Sequence, residues 1–175
     1  MNSPYQLRLY AAPLDSSIKG RAISEAAHRM LTAVLLENYV LRPSDYTFTY
    51  GEMGKPHLLT EPPKPNVCFN LAHTEGMAVL AIGGVPVGVD VEHSGRGISD
   101  SVRRRWLDNC PPEQALTEWT KRESYGKLTG EGFNFAQPKR PHVCRKWELN
   151  GFTITACVYE CDADSLPDNI ELFIN

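Results

Sequence analysis

"PVGVDVE", residues 86–92, is the stretch on which the fold turns. Val85, Val87, Val89 and Val91 alternate with Pro86, Gly88, Asp90 and Glu92. Side chains on a strand point to alternate faces, so the valines share one side and Gly88, Asp90 and Glu92 the other. The valine face is expected to pack on a core. The opposite face stays small and then aims two carboxylates in one direction. Asp is depleted in strands, so its place here asks for a reason beyond backbone preference.

Upstream of this strand, "YQLRLYAA" (5–12) alternates and reads as a strand. Residues 20–41 carry Ile23, Ala26, Ala27, Met30, Leu31, Val34 and Leu35 at helical spacing, which predicts a helix ending before Pro43. "YTFTY" (46–50) predicts a short strand, and the Gly- and Pro-rich residues 51–67 predict a loop. "VCFNLAH" and "MAVLAIGG" predict two strands across "TEG". Downstream, "HSGRG" (93–97) reads as a flexible loop, and "ISDSVRRRWLD" as a short helix. A longer helix over 111–130 has Pro at its start, Glu113 in its first turn and Gly130 as a stop. "PHVCRKWEL" and "GFTITACVYE" predict a hairpin about Asn150-Gly151, a favoured two-residue turn. The tail, 161–175, is acidic and weakly patterned. The expected fold class is α+β, in two similar halves, 1–84 and 85–175, related by a pseudo-twofold axis.

The 175 residues carry a formal net charge of −3, which excludes a global basic field for nucleic acid. No apolar run approaches the roughly 20 residues that cross a bilayer. The start lacks the basic and apolar segments of a signal peptide, so the cytoplasm is the expected location. The five cysteines, Cys68, Cys110, Cys144, Cys157 and Cys161, include no C-x-x-C pair. Neither a disulfide framework nor a zinc site is expected. Cys157 and Cys161 are four apart on a predicted strand and read as reduced core residues.

On the longer helix, Leu116 and Trp119 define an apolar stripe whose continuation reaches Glu123, with Lys127 one turn further. A glutamate then stands where a core-facing residue is due. Carboxylates converging from a strand and a helix repel, and a hard divalent cation resolves the repulsion. Mg²⁺ takes oxygen ligands and shares itself with substrate phosphates, and a lysine beside it suits a phosphate oxygen. The pattern points to phosphoryl or pyrophosphate chemistry.

"GVDVE", followed about thirty residues later by "WTKRESYGK", resembles the signature pair of the 4′-phosphopantetheinyl transferases. It is similar to the pseudo-dimeric type that activates the carrier proteins of peptide and polyketide synthetases. "EAAHRML", "GKP" at 54–56 and "FNLAHTEG" resemble further segments of that family, in family order. The resemblance implies transfer of the phosphopantetheine arm of coenzyme A to a serine of an acyl or peptidyl carrier protein, releasing adenosine 3′,5′-bisphosphate. It implies Asp90, Glu92 and Glu123 as ligands of Mg²⁺, or of Mn²⁺ in its place, with Glu123 also the general base for the serine. Lys127 and His73 would meet the pyrophosphate with Thr74 beside them, and Arg29 and Lys55 would hold phosphates on the adenosine side. The partner would be acidic and helical, and "RRRW" (103–106) is a basic patch suited to it. With both halves in one chain, a monomer is expected. Two departures stand out. Ala72 replaces the family's serine before the histidine, and Arg122 replaces the lysine before the helix glutamate. A degenerate module that binds coenzyme A or a carrier without transfer is the alternative.

Overall fold

The computed structural model describes residues 5–60, 67–132 and 140–174. Strand β6 (Gly88–His93) lies at the edge of a three-stranded antiparallel sheet with β8 (Phe152–Tyr159) and β7 (His142–Leu149), in the order β6-β8-β7. Its valine face does pack on a core: Val89 and Val91 join Ile154, Ala156 and Val158 of β8. Facing them across that core is a second sheet, in the order β4 (Cys68–Thr74), β5 (Met77–Gly83), β1 (Arg8–Pro13) and β9 (Glu171–Leu172). Strand β5 is buried on both faces. Met77, Val79 and Ala81 point toward β6, while Ala78, Leu80 and Ile82 point toward helix α1 (Arg21–Tyr39). On the outer side of the three-stranded sheet lies α3 (Ala115–Thr129), preceded by α2 (Asp100–Trp106). The layers run helix, sheet, sheet, helix, and the mixed α+β class follows.

Helix α1 buries Ile23, Ala27, Met30, Leu31, Val34 and Leu35, the expected stripe without Ala26, and closes at Val40 in the left-handed region. The β7–β8 hairpin turns at Asn150 (φ 51°) and Gly151 (φ 82°), both left-handed as a tight two-residue turn requires. Helix α3 stops at Gly130, φ 74°.

Four expectations need correction. Residues 51–67 are not all loop: β3 (Pro56–Thr60) pairs with β2 (Tyr46–Tyr50) as a separate two-stranded ribbon. Its opening proline and flanking glycines mask the strand in the sequence. The buried face of α3 is Ala115, Thr120, Ser124, Gly126 and Leu128, with Leu116 and Trp119 only half buried beside it. The reason is close approach. A Cβ at Gly88 would collide with the backbone of Ser124 and Leu128, so the helix lies against bare strand and presents small residues to it. Cys144 and Cys157 sit opposite each other across the hairpin and form a disulfide, while Cys161 is exposed in a 3-10 turn (Glu160–Ser165) and is not a core residue. The loop 93–97 is tied down: Ser94 N donates to Gly151 O at 2.8 Å and Ser94 Oγ to Glu148 Oε2 at 2.7 Å. The weakly patterned tail supplies β9, which runs parallel to β1. Among the described residues, no helix is long and apolar enough to cross a membrane.

Candidate active site

The contact at Gly88 sets the geometry of the polar face. Two residues along β6, Asp90 emerges beneath α3 and is 6% exposed. Lys127 Nζ donates to Asp90 Oδ1 at 2.8 Å. Asp90 Oδ2 is buried, and no described residue hydrogen-bonds it. Glu92 follows on the same face, its carboxylate paired with Arg96 and standing beside the Trp119 indole. Glu123 comes down from α3 within electrostatic reach of Asp90, Glu92, Lys127 and Arg96. Strand and helix thus deliver the three carboxylates to one neighbourhood.

Burial pushes the Glu123 carboxyl above its ordinary range, and the charges of Asp90 and Glu92 push it further against the pull of Lys127. Glu92 is likewise raised, first by burial, with Arg96 opposing. His73, on β4, is lowered by burial and then by the charges of Lys127 and His28. Its imidazole is therefore held toward the neutral form beside the lysine.

Asp90, Glu92, Glu123 and Lys127 come together, and His73 stands within electrostatic reach of Lys127. Lys55 shares a cavity of about 280 Å³ with Glu123, Lys127 and Asn70, but its ammonium turns inward. It donates to Leu128 O at 2.9 Å and Val87 O at 3.5 Å, capping the end of α3, and burial lowers its pKa. Arg29 is exposed on α1 and lines a different, open groove with His28, Ser24 and Thr32. His73 is within electrostatic reach of both Lys127 and His28, which lines that groove. Thr74 closes β4 opposite Met77.

Do these groups fit a divalent cation? Among the described residues, no three His, Cys, Asp or Glu side chains stand close enough to hold one as arranged. Two organic cations instead occupy one oxygen each of Asp90 and Glu92. The donor chemistry does fit. All three groups are hard carboxylate oxygens, and a buried, unbonded oxygen such as Asp90 Oδ2 is costly without a cation.

No family model matches the chain. It is 29% identical over 127 residues to a 4′-phosphopantetheinyl transferase of Bacillus subtilis, covering 63% of this chain and 55% of that protein. It is 27% identical over 128 residues to the transferase Sfp of Bacillus subtilis strain 168, covering 63% and 55%. To the transferase HetI of a Nostoc species it is 30% identical over 122 residues, covering 61% and 51%. The chain is similar to 4′-phosphopantetheinyl transferases over 61–63% of its length. It spans about half the length of the curated relatives it matches.

Three contributors to the site escape a reading of the sequence. Arg96 and Trp119 both contact Glu92, and the guanidinium lies 5.1 Å from the centroid of the indole. Asn70 Oδ1 accepts from Val89 N at 2.9 Å and locks β4 to β6. Asn70 stands inside "FNLAHTEG", and Arg96 follows Glu92 by four residues, but only the folded loop turns it back. Two positions that depart from the family pattern have structural uses here. Ala72 is packed into the core beneath β6, and Arg122 is paired with Asp108 beyond α2.

Proposed function

We propose that this protein transfers the 4′-phosphopantetheine arm of coenzyme A to a serine of an acyl or peptidyl carrier protein, releasing adenosine 3′,5′-bisphosphate. The observation that carries the reading is the meeting of Asp90, Glu92, Glu123 and Lys127 beneath α3, in a chain similar to 4′-phosphopantetheinyl transferases. Asp90, Glu92 and Glu123 would hold Mg²⁺, or Mn²⁺, which when bound neutralises charge on a pyrophosphate. Glu123, raised by burial, is suited to accept the proton of the attacking serine hydroxyl. Lys127 has an ammonium with three donors, so it can keep Asp90 and also meet a phosphate oxygen as the leaving group gains charge. His73, held toward neutrality, would donate one hydrogen bond to the same pyrophosphate. Arg29, in its open groove on α1, would reach the adenosine phosphates, with Thr74 next to His73 on β4. Lys55 would support them from the other side while bracing α3. An acidic helical carrier would meet the exposed Arg104 and Arg105, since Arg103 is drawn in to Asp100 and Cys110 O. A cytoplasmic monomer, with halves 1–84 and 85–175 about a pseudo-twofold axis, completes the reading. The two sheet–helix pairs packed back to back support that symmetry.

The test is mass spectrometry of a panel of apo carrier proteins after incubation with this protein, coenzyme A and Mg²⁺. The expected result is a gain of one phosphopantetheine on at least one carrier, lost in Asp90→Ala and Glu123→Ala. No gain on any carrier, with coenzyme A still bound, would replace transfer by binding alone.

A further inference from the structure

Glu92 is held from two sides, by loop and by helix. Arg96 lies in a tight turn: Arg96 N donates to His93 O at 2.9 Å. The preceding Ser94 is fixed to Gly151 O and to Glu148, and Glu148 in turn accepts from Thr153 at 3.0 Å and 3.1 Å. From this anchored turn the Arg96 guanidinium reaches back to Glu92 Oε1. The guanidinium lies over Trp119 of α3, 5.1 Å from the ring centroid, and the same indole stands beside Glu92. Glu92 itself is 17% exposed at the side chain, against 40% for Arg96. The carboxylate is therefore gripped by a cation whose own rotamer is set by an aromatic ring.

We propose that Arg96, stacked on Trp119, is a positioning residue that fixes the Glu92 carboxylate toward Asp90 and Glu123 so that the three act as one cation site. The inference rests on the metal reading given above. Arg96 occupies one oxygen of Glu92 and leaves the other, just as Lys127 does for Asp90. Without Arg96 the Glu92 side chain would regain rotamer freedom that metal binding must then remove. Simple electrostatics predicts the reverse: deleting a positive charge beside a cation site should tighten it. The two accounts therefore differ in sign.

The experiment is titration of the full chain with Mn²⁺ alone, free Mn²⁺ being read by electron paramagnetic resonance. Wild type should bind, and Asp90→Asn should lose binding. Arg96→Met should bind about tenfold to a hundredfold more weakly, the usual effect of losing a residue that orients a metal ligand. Arg96→Lys keeps the charge without the planar stack, and should fall between the two. In carrier loading, Arg96→Met should raise the KM for metal more than it lowers kcat. Binding by Arg96→Met equal to or tighter than wild type would overturn the positioning role while leaving the metal site standing. So would an Arg96→Lys variant no better than Arg96→Met. Absence of Mn²⁺ binding in wild type would overturn the site itself, and the inference with it.

Discussion

Gly88→Ala should damage stability and site together, because the missing Cβ is the space in which α3 sits. A methyl there would stand 2.9 Å from Leu128 Cα, and nearer still to the Ser124 carbonyl oxygen and the Leu128 amide. All three are backbone atoms, so no rotamer change relieves the clash, and strand and helix must separate. The helix resists separation, since Thr120 Oγ1 and Thr155 Oγ1 stand 2.8 Å apart and Ser124 Oγ donates to Thr155 O at 2.7 Å. Overpacking costs about 1–3 kcal/mol, and each strained buried hydrogen bond adds about 1 kcal/mol, so a loss of about 3 kcal/mol is expected. For a chain of this size that lowers Tm by about 6–12 °C. A helix moved by about 1 Å also carries Glu123 and Lys127 away from Asp90, and such a shift costs about a hundredfold in rate. Gly97 is the control, since nothing lies within 4 Å of a Cβ there. Calorimetry of both alanine variants, with carrier loading measured below the melting range, tests the point. Gly88→Ala melting with Gly97→Ala and wild type would refute the close-approach account.

Lys127→Met leaves Asp90 buried without its cation. It should cost about 1–3 kcal/mol in urea denaturation at neutral pH, less than for a fully enclosed pair because Lys127 is 30% exposed, and Lys127→Met with Asp90→Asn should recover most of it. The raised carboxyls of Glu123 and Glu92 make the metal-free fold bind more protons than the unfolded chain above the ordinary glutamate range. Their contribution is full below that range and is lost as pH rises through the raised values, so Glu123→Gln should melt above wild type at pH 7.5 and the gap should close on acidification. Wild type gaining no relative stability in acid would contradict this. Thiol titration of the denatured, unreduced chain should count three free thiols, Cys68, Cys110 and Cys161. A count of five would contradict the hairpin disulfide.

Much of this was legible in residue order because it depends on local period. The two faces of residues 86–92 follow from alternation alone, and so does the burial of the valine side. Asn150-Gly151 announces its turn, and Gly130 its helix stop. That hairpin even contained the disulfide: Cys144 lies six residues before Asn150 and Cys157 six after Gly151, hence directly opposed. The pairing shows across the turn and not in the spacing along the chain. The stripe through Leu116, Trp119 and Glu123 failed for a different reason. Apolar spacing finds the helix face that meets large side chains, whereas α3 meets a glycine, and its most buried positions are Thr120 and Ser124. Glu123 and Lys127 reach the site from the flank of the buried face. Arg96 was out of reach because its position depends on Ser94, Glu148 and Gly151, which lie far apart in the chain.

The charges around Asp90 say what the site is prepared to receive. Asp90, Glu92 and Glu123 bring three negative charges, and Lys127 and Arg96 return two positive ones. The balance is one negative charge, concentrated where Asp90 Oδ2 is buried without a described partner. A divalent cation alone would turn this excess positive, so it should bind less tightly by itself than with a polyanion. A divalent cation arriving with a phosphate-bearing substrate would leave it near neutral. The two organic cations need not leave, since each holds only one oxygen of its carboxylate. Cation and polyanion are then bound best together, and each should tighten the other by the same factor. Coenzyme A should therefore lower the Mn²⁺ dissociation constant of the wild type, and Mn²⁺ should lower that of coenzyme A equally. Independent binding would mean that the charge balance does not set the order of assembly.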